Sequence, residues 1–557
     1  MTRSADRVVP RSNTSLPRAE IDHLADLLAD ELNLPPGTAL ALEGSHAEGF
    51  GNDCSDVDFL VIYPDSTIQP TLRTTLHLAT HRVEVRSQSV AQLTTQLLEV
   101  VAASADELSE DLLDRCQRFL YAVPVWCGEL IDRIRERLPL PQFDAITARW
   151  WARQARLSLR YAVVLAALGA REDADGWARN GAMQAMKYWA ARRGECYMEP
   201  KWLDHQLDRL GAETDLIQQY RALTGGLPAD SESGASGSGF LTDVLDLARQ
   251  AGLSRITTGR DDVRLDVADN LLTWEADDVV HVFRDRLDVF VLQGSAAEGW
   301  RSLSRTQLLT EVTSDGVDGQ ATGVVAEFLR LGFLTVGWAE DTPLRPWQLI
   351  GAPVRPVTPP PSKNDIAVTM RGGVVDIARI GLSALPATRF AAAGMSLVWS
   401  DLFLEITRED LTGALQRRDW PLARTAAHRM VMFACRSLLS AHGVEPLPQD
   451  TEIVRYLGGL ACEHRTIAAE CIAALQLPVT SEQLTQTLHD LIGRVRAEAG
   501  SGQAAGSLSC PDRLHRLNAI VRAWVGLNSA LGLDVLFPEA LDLLTTGSQP
   551  HLPARSR

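Results

Sequence analysis

Apolar and polar positions alternate most legibly near the N-terminus. TALALE (38–43) and DVDFLVI (56–62) are apolar runs of strand length. HRVEVRS (81–87) alternates strictly, setting Arg82, Glu84 and Arg86 on one face and Val83 and Val85 on the other. Ahead of them, AEIDHLADLLADELN (19–33) carries apolar residues at helical spacing, and long helical patterns run from Ser89 to about Leu138. A nearly all-helical block follows over 141–223, including ITARWWARQARLSLRYAVVLAALG and ARNGAMQAMKYWAARRG. Residues 240–350 mix a helix, FLTDVLDLARQAG, with strand-like runs VVHVFRD and LDVFVLQG, and end in a helix–helix–hairpin order of winged-helix type. Residues 365–545 return to amphipathic helices such as DWPLARTAAHRMVMFACRSLLSAHG.

Two compositional breaks divide these patterns. GGLPADSESGASGSG (225–239) has the makeup of a flexible linker, and GAPVRPVTPPPSKN (351–364) that of a stiffer, proline-rich one. The expected layout is an α+β multidomain chain: a tail over 1–16, a mixed-sheet domain over 17–140, a helical domain over 141–224, the first linker, a mixed α/β winged-helix-like domain over 240–350, the second linker, an α-helical bundle over 365–545 and a tail over 546–557. At 557 residues the chain exceeds what one core can organise.

Charge and composition narrow the function. A net charge of −17 argues against bulk nucleic-acid binding, which needs a concentrated basic face. With no basic recognition helix, the 240–350 segment reads as structural or dimerising, which leaves room for a homodimer. No apolar run is long enough to span a bilayer and the N-terminus has no apolar signal core, so a cytoplasmic protein with no membrane partner is expected. The eight cysteines include no C-x-x-C pair, which points to reduced thiols without a zinc site or disulfide framework.

The chemistry concentrates in GSHAEGFGNDCSDVD (44–58). A strand running into a Gly44–Ser45 turn aims backbone N–H groups and a hydroxyl outward, an arrangement suited to phosphate oxygens. Asp56 and Asp58 follow at strand spacing, so both carboxylates share one face of one strand while Val57, Phe59 and Val61 bury the other. Two like charges this close call for a counter-charge, and magnesium, a hard cation that takes carboxylates together with substrate phosphates, supplies it. HRVEVRS lying alongside would present Glu84 as a third acid, completing a two-metal site.

The pattern Gly44–Ser45–Ala47–Gly49–Ser55–Asp56–Asp58–Phe59 resembles the signature of the DNA polymerase β-like nucleotidyltransferase superfamily, nearest its small bacterial branch of aminoglycoside-type enzymes. The resemblance is strong over about 38–87 and extends through the helical block to 223. It implies transfer of a nucleoside monophosphate, AMP from ATP above all, to a small-molecule acceptor such as an antibiotic or a secondary-metabolite intermediate, with release of pyrophosphate. Gly44, Ser45 and Ser55 match the nucleotide-holding positions. Asp56, Asp58 and Glu84 match the acids that hold two magnesium ions, with manganese an alternative. Positions 46 and 48, often basic in small relatives, are His46 and Glu48 here. An acid beside the triphosphate turn weakens phosphate binding unless it points away, so the orientation of Glu48 separates a working transferase from a nucleotide-sensing, partner-binding module of toxin–antitoxin type. Transfer of AMP to a protein or a tRNA is a third reading, the tRNA version disfavoured by the acidic balance.

Lysine is scarce: only Lys187, Lys201 and Lys363 occur, all other cationic side chains being arginine or histidine. In KYWAARRGECYMEPKWL (187–203), Lys187 and Lys201 are candidate point charges for a triphosphate. The alternative is a surface lysine, with a tryptophan packing a helix corner.

Overall fold

The computed structural model describes residues 14–338 apart from 65–72, 104–107, 212–214, 226–237, 257–262, 313–318 and stretches of one to three residues between 269 and 306; beyond that it describes 387–441, 462–477, 482–498 and positions 447 and 453. Most of the expected N-terminal tail, most of the first linker, the whole proline-rich linker and everything after 498 fall outside these residues. The described part is mixed α/β, a mixed sheet with many helices.

Helix α1 (Arg18–Leu32) leads into β1 (Ala39–Glu43), a single turn α2 (Gly44–Ala47), β2 (Val57–Tyr63), β3 (Arg73–Leu78) and β4 (His81–Ser89). Helices α3 (Val90–Ala102) and α4 (Glu110–Tyr121), strand β5 (Val123–Trp126) and helix α5 (Gly128–Arg135) complete the unit. The five strands are ordered β3-β4-β2-β1-β5; β2 and β4 run parallel and the other neighbours antiparallel.

Both faces of the central strands are covered, which explains why they read as apolar runs rather than clean alternation. On one face Leu40, Leu42, Val57, Phe59, Val61, Val83 and Val85 pack against Ile21, Leu24, Ala25 and Leu28 of α1, a helical stripe of i, i+3, i+4, i+7 spacing. On the other, Ala39, Ala41, Leu60 and Ile62 meet Leu93, Leu97, Leu113, Phe119 and Ile131 from α3–α5. A capping box between Ser89 and Gln92 starts α3 directly at the end of β4. Two strands depart from the sequence patterns. β3 has little apolar character, and β5, VPVW, sits inside a stretch with helical periodicity. Each is an edge strand, where pairing depends on one neighbour and where a residue such as Pro124 is tolerated.

Helices α6 (Leu140–Ala167) and α7 (Arg171–Ala191) pack along each other, followed by α8 (Leu203–Arg209), α9 (Asp215–Gly225) and α10 (Ser238–Gln250). The next segment holds β6 (Val263–Val267), β7 (Leu271–Ala276), β8 (Val279–Arg284), β9 (Asp288–Leu292), α11 (Gly294–Ser302), β10 (Gln307–Leu308), α12 (Leu309–Val312), α13 (Gly319–Arg330) and β11 (Leu334–Trp338). β7-β8-β9 form an antiparallel meander. β10 and β11 each pair antiparallel with β6, which enters between them from earlier in the chain; of the hairpin expected after the two helices only β11 lies within the described residues. Arg330 of α13 is fastened to Asp173 of α7 by an ion pair.

Helices α14 (Ala387–Arg417) and α15 (Trp420–Ala441) pack along each other, with α16 (Cys462–Gln476) and α17 (Glu482–Glu498) against α15. α14 does not stand apart from the first sheet. Glu409 pairs with Arg82, Asp410 with Lys201 at 2.6 Å, Arg417 donates to the carbonyl of Gly51, and Gly413 lies so close to Asn52 that a β-carbon there would come within 2.5 Å of it. Positions 409, 413, 416 and 417 form one helix face, laid along the loop that connects the Gly44 turn to Asp56.

Candidate functional site

The register of the sheet gathers the acids. Glu43 is opposite Asp58 across β1–β2, Asp58 is beside Glu84 across β2–β4, and Glu84 is opposite Thr75 of β3. Cross-strand partners share a face with β-carbons about 4.5–5.5 Å apart, so Glu43, Asp58 and Glu84 form a row across three strands. Asp56, two positions before Asp58, joins them at the strand mouth. Glu43 was not among the residues picked out from sequence; its signal was an acid closing an otherwise apolar strand.

The turn after β1 is shaped around this row. Gly44 has φ +75°, and a β-carbon at that position would fall 2.1 Å from Asp58 Oδ2, so glycine alone fits. Ser45 remains half-buried, and its carbonyl accepts the N–H groups of Phe50 and Gly51 at 2.9 Å each. The Ser55 hydroxyl accepts from the Asn52 N–H at 3.0 Å, and Asn52 Oδ1 accepts from the Cys54 N–H at 2.9 Å, closing the loop before Asp56. His46 is buried, 2.7 Å from the Ser15 hydroxyl, and desolvation pulls its imidazole down to about 4.

Three arginines answer the acids. Arg82 is paired with Asp56 on one side and Glu409 on the other. Arg86 forks onto Glu43 at 3.0 and 2.6 Å. Arg118, from α4, reaches Asp58 at 3.3 Å and Glu43 at 3.7 Å. Even so, burial pushes Asp58 up to about 6; Arg118 pulls it down, while Glu84 and Glu43 push it further up. Asp56 is likewise raised above the usual carboxylate range by burial, against the pull of Arg82, with Glu84 and Asp58 adding to the rise.

Glu48 points away from the row. It is 5% exposed, accepts from Gln117 Nε2 at 2.8 Å, and pairs with Arg209 of α8 at 3.4 Å. Two residues on, Phe50 stacks on Trp202 with ring centroids 5.6 Å apart, and the Arg209 guanidinium lies 4.1 Å from the centre of the Phe50 ring. The turn is thereby fastened to the 195–209 corner of the helical block.

Both lysines lie at that corner, paired with groups other than the acid row. Lys187 is 1% exposed and donates to the Tyr197 carbonyl at 2.9 Å, the Glu199 carbonyl at 2.8 Å and Gln206 Oε1 at 2.6 Å. Burial pulls its ammonium down to about 7, against the pull of the Glu199 carboxylate, and three acceptors for three N–H bonds is the arrangement of the charged form. Lys201 pairs with Asp410 of α14.

Among the described residues, no group of three or more His, Cys, Asp or Glu side chains stands ready to hold a metal ion. The reason lies in the pairings above, since Asp56, Asp58 and Glu43 are each turned to a guanidinium. The donor set nevertheless fits a hard divalent cation in type and in strand register: buried and half-buried carboxylates on adjacent strands. None of the described helices is long and apolar enough to cross a membrane. No family model matches the chain, and no curated protein matches it either.

Proposed function

We propose that the chain is a metal-dependent nucleotidyltransferase moving a nucleoside monophosphate, most naturally AMP from ATP, onto a small-molecule acceptor such as an antibiotic or secondary-metabolite intermediate, with release of pyrophosphate. The observation that carries this reading is the contact of the Gly44 turn with Asp58, which sets a phosphate-compatible turn directly against the row Glu43–Asp58–Glu84 with Asp56 beside it. Asp56, Asp58 and Glu84 would hold magnesium, or manganese, which when bound neutralises phosphate charge and favours attack at the α-phosphorus. Gly44 and Ser45 would receive the phosphates, with Ser55 keeping the intervening loop closed. The inward turn of Glu48, paired with Arg209 and hydrogen-bonded by Gln117, supports a phosphate site at that turn because the acid is removed from it.

Incubating the full chain with each α-labelled NTP, magnesium and a metabolite extract tests the reading. Label should pass to a small product with the wild type and not with a folded Asp56→Ala variant; full transfer by that variant refutes it.

A second reading has its own support. The guanidiniums on Asp56 and Asp58 are what a catalytically retired nucleotide sensor would carry, the arginines replacing the metal. Calorimetry that records NTP binding without pyrophosphate release, whatever acceptor is offered, favours it. Transfer of AMP to a protein acceptor remains a variant of the first reading, and the charge of −17 disfavours tRNA.

A further inference from the structure

Arg82 cannot serve Asp56 and leave it free for a cation at the same time, and the structure provides a second partner for it. Arg82 Nη2 is on Asp56, while Nη1 is 2.6 Å from Glu409 Oε2. Glu409 lies 353 residues after Asp56 in sequence, yet α14 is fixed beside the loop by contacts along the two turns that follow Glu409. Asp410 takes Lys201, Gly413 packs on Asn52, and Arg417 donates to the Gly51 carbonyl.

We propose that Glu409 is a positioning residue for the candidate site, holding Arg82 so that the guanidinium can pass from Asp56 to α14 when a divalent cation takes its place. The inference rests on the reading of Asp56 as a metal ligand. A guanidinium released from Asp56 without Glu409 would be left half-buried with only Glu84 nearby, itself read as a ligand of the cation, and a cation would have to meet that cost. With Glu409 in place, Arg82 keeps one charged partner throughout, and the Glu409 carboxylate adds attraction for the incoming ion. The C-terminal helices are in this way part of the site rather than an appended bundle. The exchange also accounts for why the acids can be turned to arginines and still be fitted for a metal: the two arrangements share residues and alternate.

The geometry predicts effects of opposite sign. Glu409→Ala removes the second acceptor and leaves Arg82 closed on Asp56, weakening Mn²⁺ binding by roughly three- to tenfold. Arg82→Gln removes the competitor and leaves Mn²⁺ binding as tight as in the wild type or tighter. In the Arg82→Gln background, Glu409→Ala loses most of its effect. Asp410→Asn breaks a neighbouring α14 contact without touching Arg82 and serves as the control for loosened docking; it should leave Mn²⁺ affinity unchanged.

The test is Mn²⁺ titration of the full chain followed by electron paramagnetic resonance, with thermal melts to confirm folding of each variant. Equal weakening by Glu409→Ala, Arg82→Gln and Asp410→Asn would reduce Glu409 to a docking contact and overturn the proposal. Unchanged affinity in Glu409→Ala, in a wild type that does bind Mn²⁺, overturns it while leaving the functional reading intact. A wild type that binds no Mn²⁺ at millimolar concentration overturns the metal reading itself, and the exchange with it.

Discussion

The acid row of the first sheet and the Lys187 corner are both buried charge clusters, and they are arranged in opposite ways. At Lys187 one ammonium meets three acceptors at 2.6–2.9 Å, and every donor is used. Across the row, four acids gather on one face, and their arginines are shared: Arg82 serves Asp56 and Glu409, and Arg118 serves Asp58 and Glu43. A saturated cluster has nothing to exchange and acts as a brace. A cluster with repelling acids and shared counter-ions can change partners, which is the property a ligand site needs.

This contrast is most severely tested at the brace. Lys187→Met should cost about 3–5 kcal/mol, because Gln206 and two carbonyls lose their donor in a dry interior. Urea denaturation of the variant reads the loss directly, and a cost under about 1 kcal/mol would break the distinction.

Next in size is a pH effect at the turn. His46 is held at about 4 in the fold against 6.5 as its reference value. Between those values the unfolded chain binds the proton and the folded one does not, so stability falls as pH drops from 6.5 toward 4, by up to about 3 kcal/mol. Melting curves of wild type and His46→Gln across that range isolate the contribution, because the variant lacks this step.

Gly44→Ala should destabilise by about 2 kcal/mol, from the positive φ and the displaced Asp58 together, and should abolish nucleotide transfer. Thermal melts and the label assay report the two effects separately. The smallest stability effect belongs to the row itself. Asp58→Asn should melt within about 1 kcal/mol of the wild type, since weaker pairing with Arg118 is offset by less repulsion from Glu43 and Glu84, while transfer is lost. Large destabilisation there would make the row a second brace.

Much of this first unit was legible in the sequence, and the reason is local. A two-residue period in DVD and HRVEVRS fixes which side chains share a face, and the register then carries Asp58 beside Glu84. The Gly–Ser turn was legible because few residue pairs tolerate that backbone. What escaped were contacts that no periodicity records. Arg118 sits in EDLLDRCQRFLY, where an arginine on an amphipathic helix reads as a solvated face, yet it turns inward onto Asp58. Lys187 was similarly ambiguous, because composition does not reveal which way a long side chain folds. The orientation of Glu48 depended on Arg209, 161 residues later, and on Gln117. The edge strands β3 and β5 were missed because half of a strand's evidence is its second neighbour, and these have only one.

The contact between Glu409 and Arg82 also sets a clock. At about 5–20 residues per second, a ribosome needs roughly 15 to 60 seconds to travel the 283 residues from Trp126, the last residue of β5, to Glu409. For that interval all five strands of the first sheet have been made, and Arg82 has Asp56 and Glu84 near it but not Glu409. Under the exchange proposed above, a newly made chain passes through a long stage in which Arg82 can pair with Asp56 and Glu409 has not yet been synthesised.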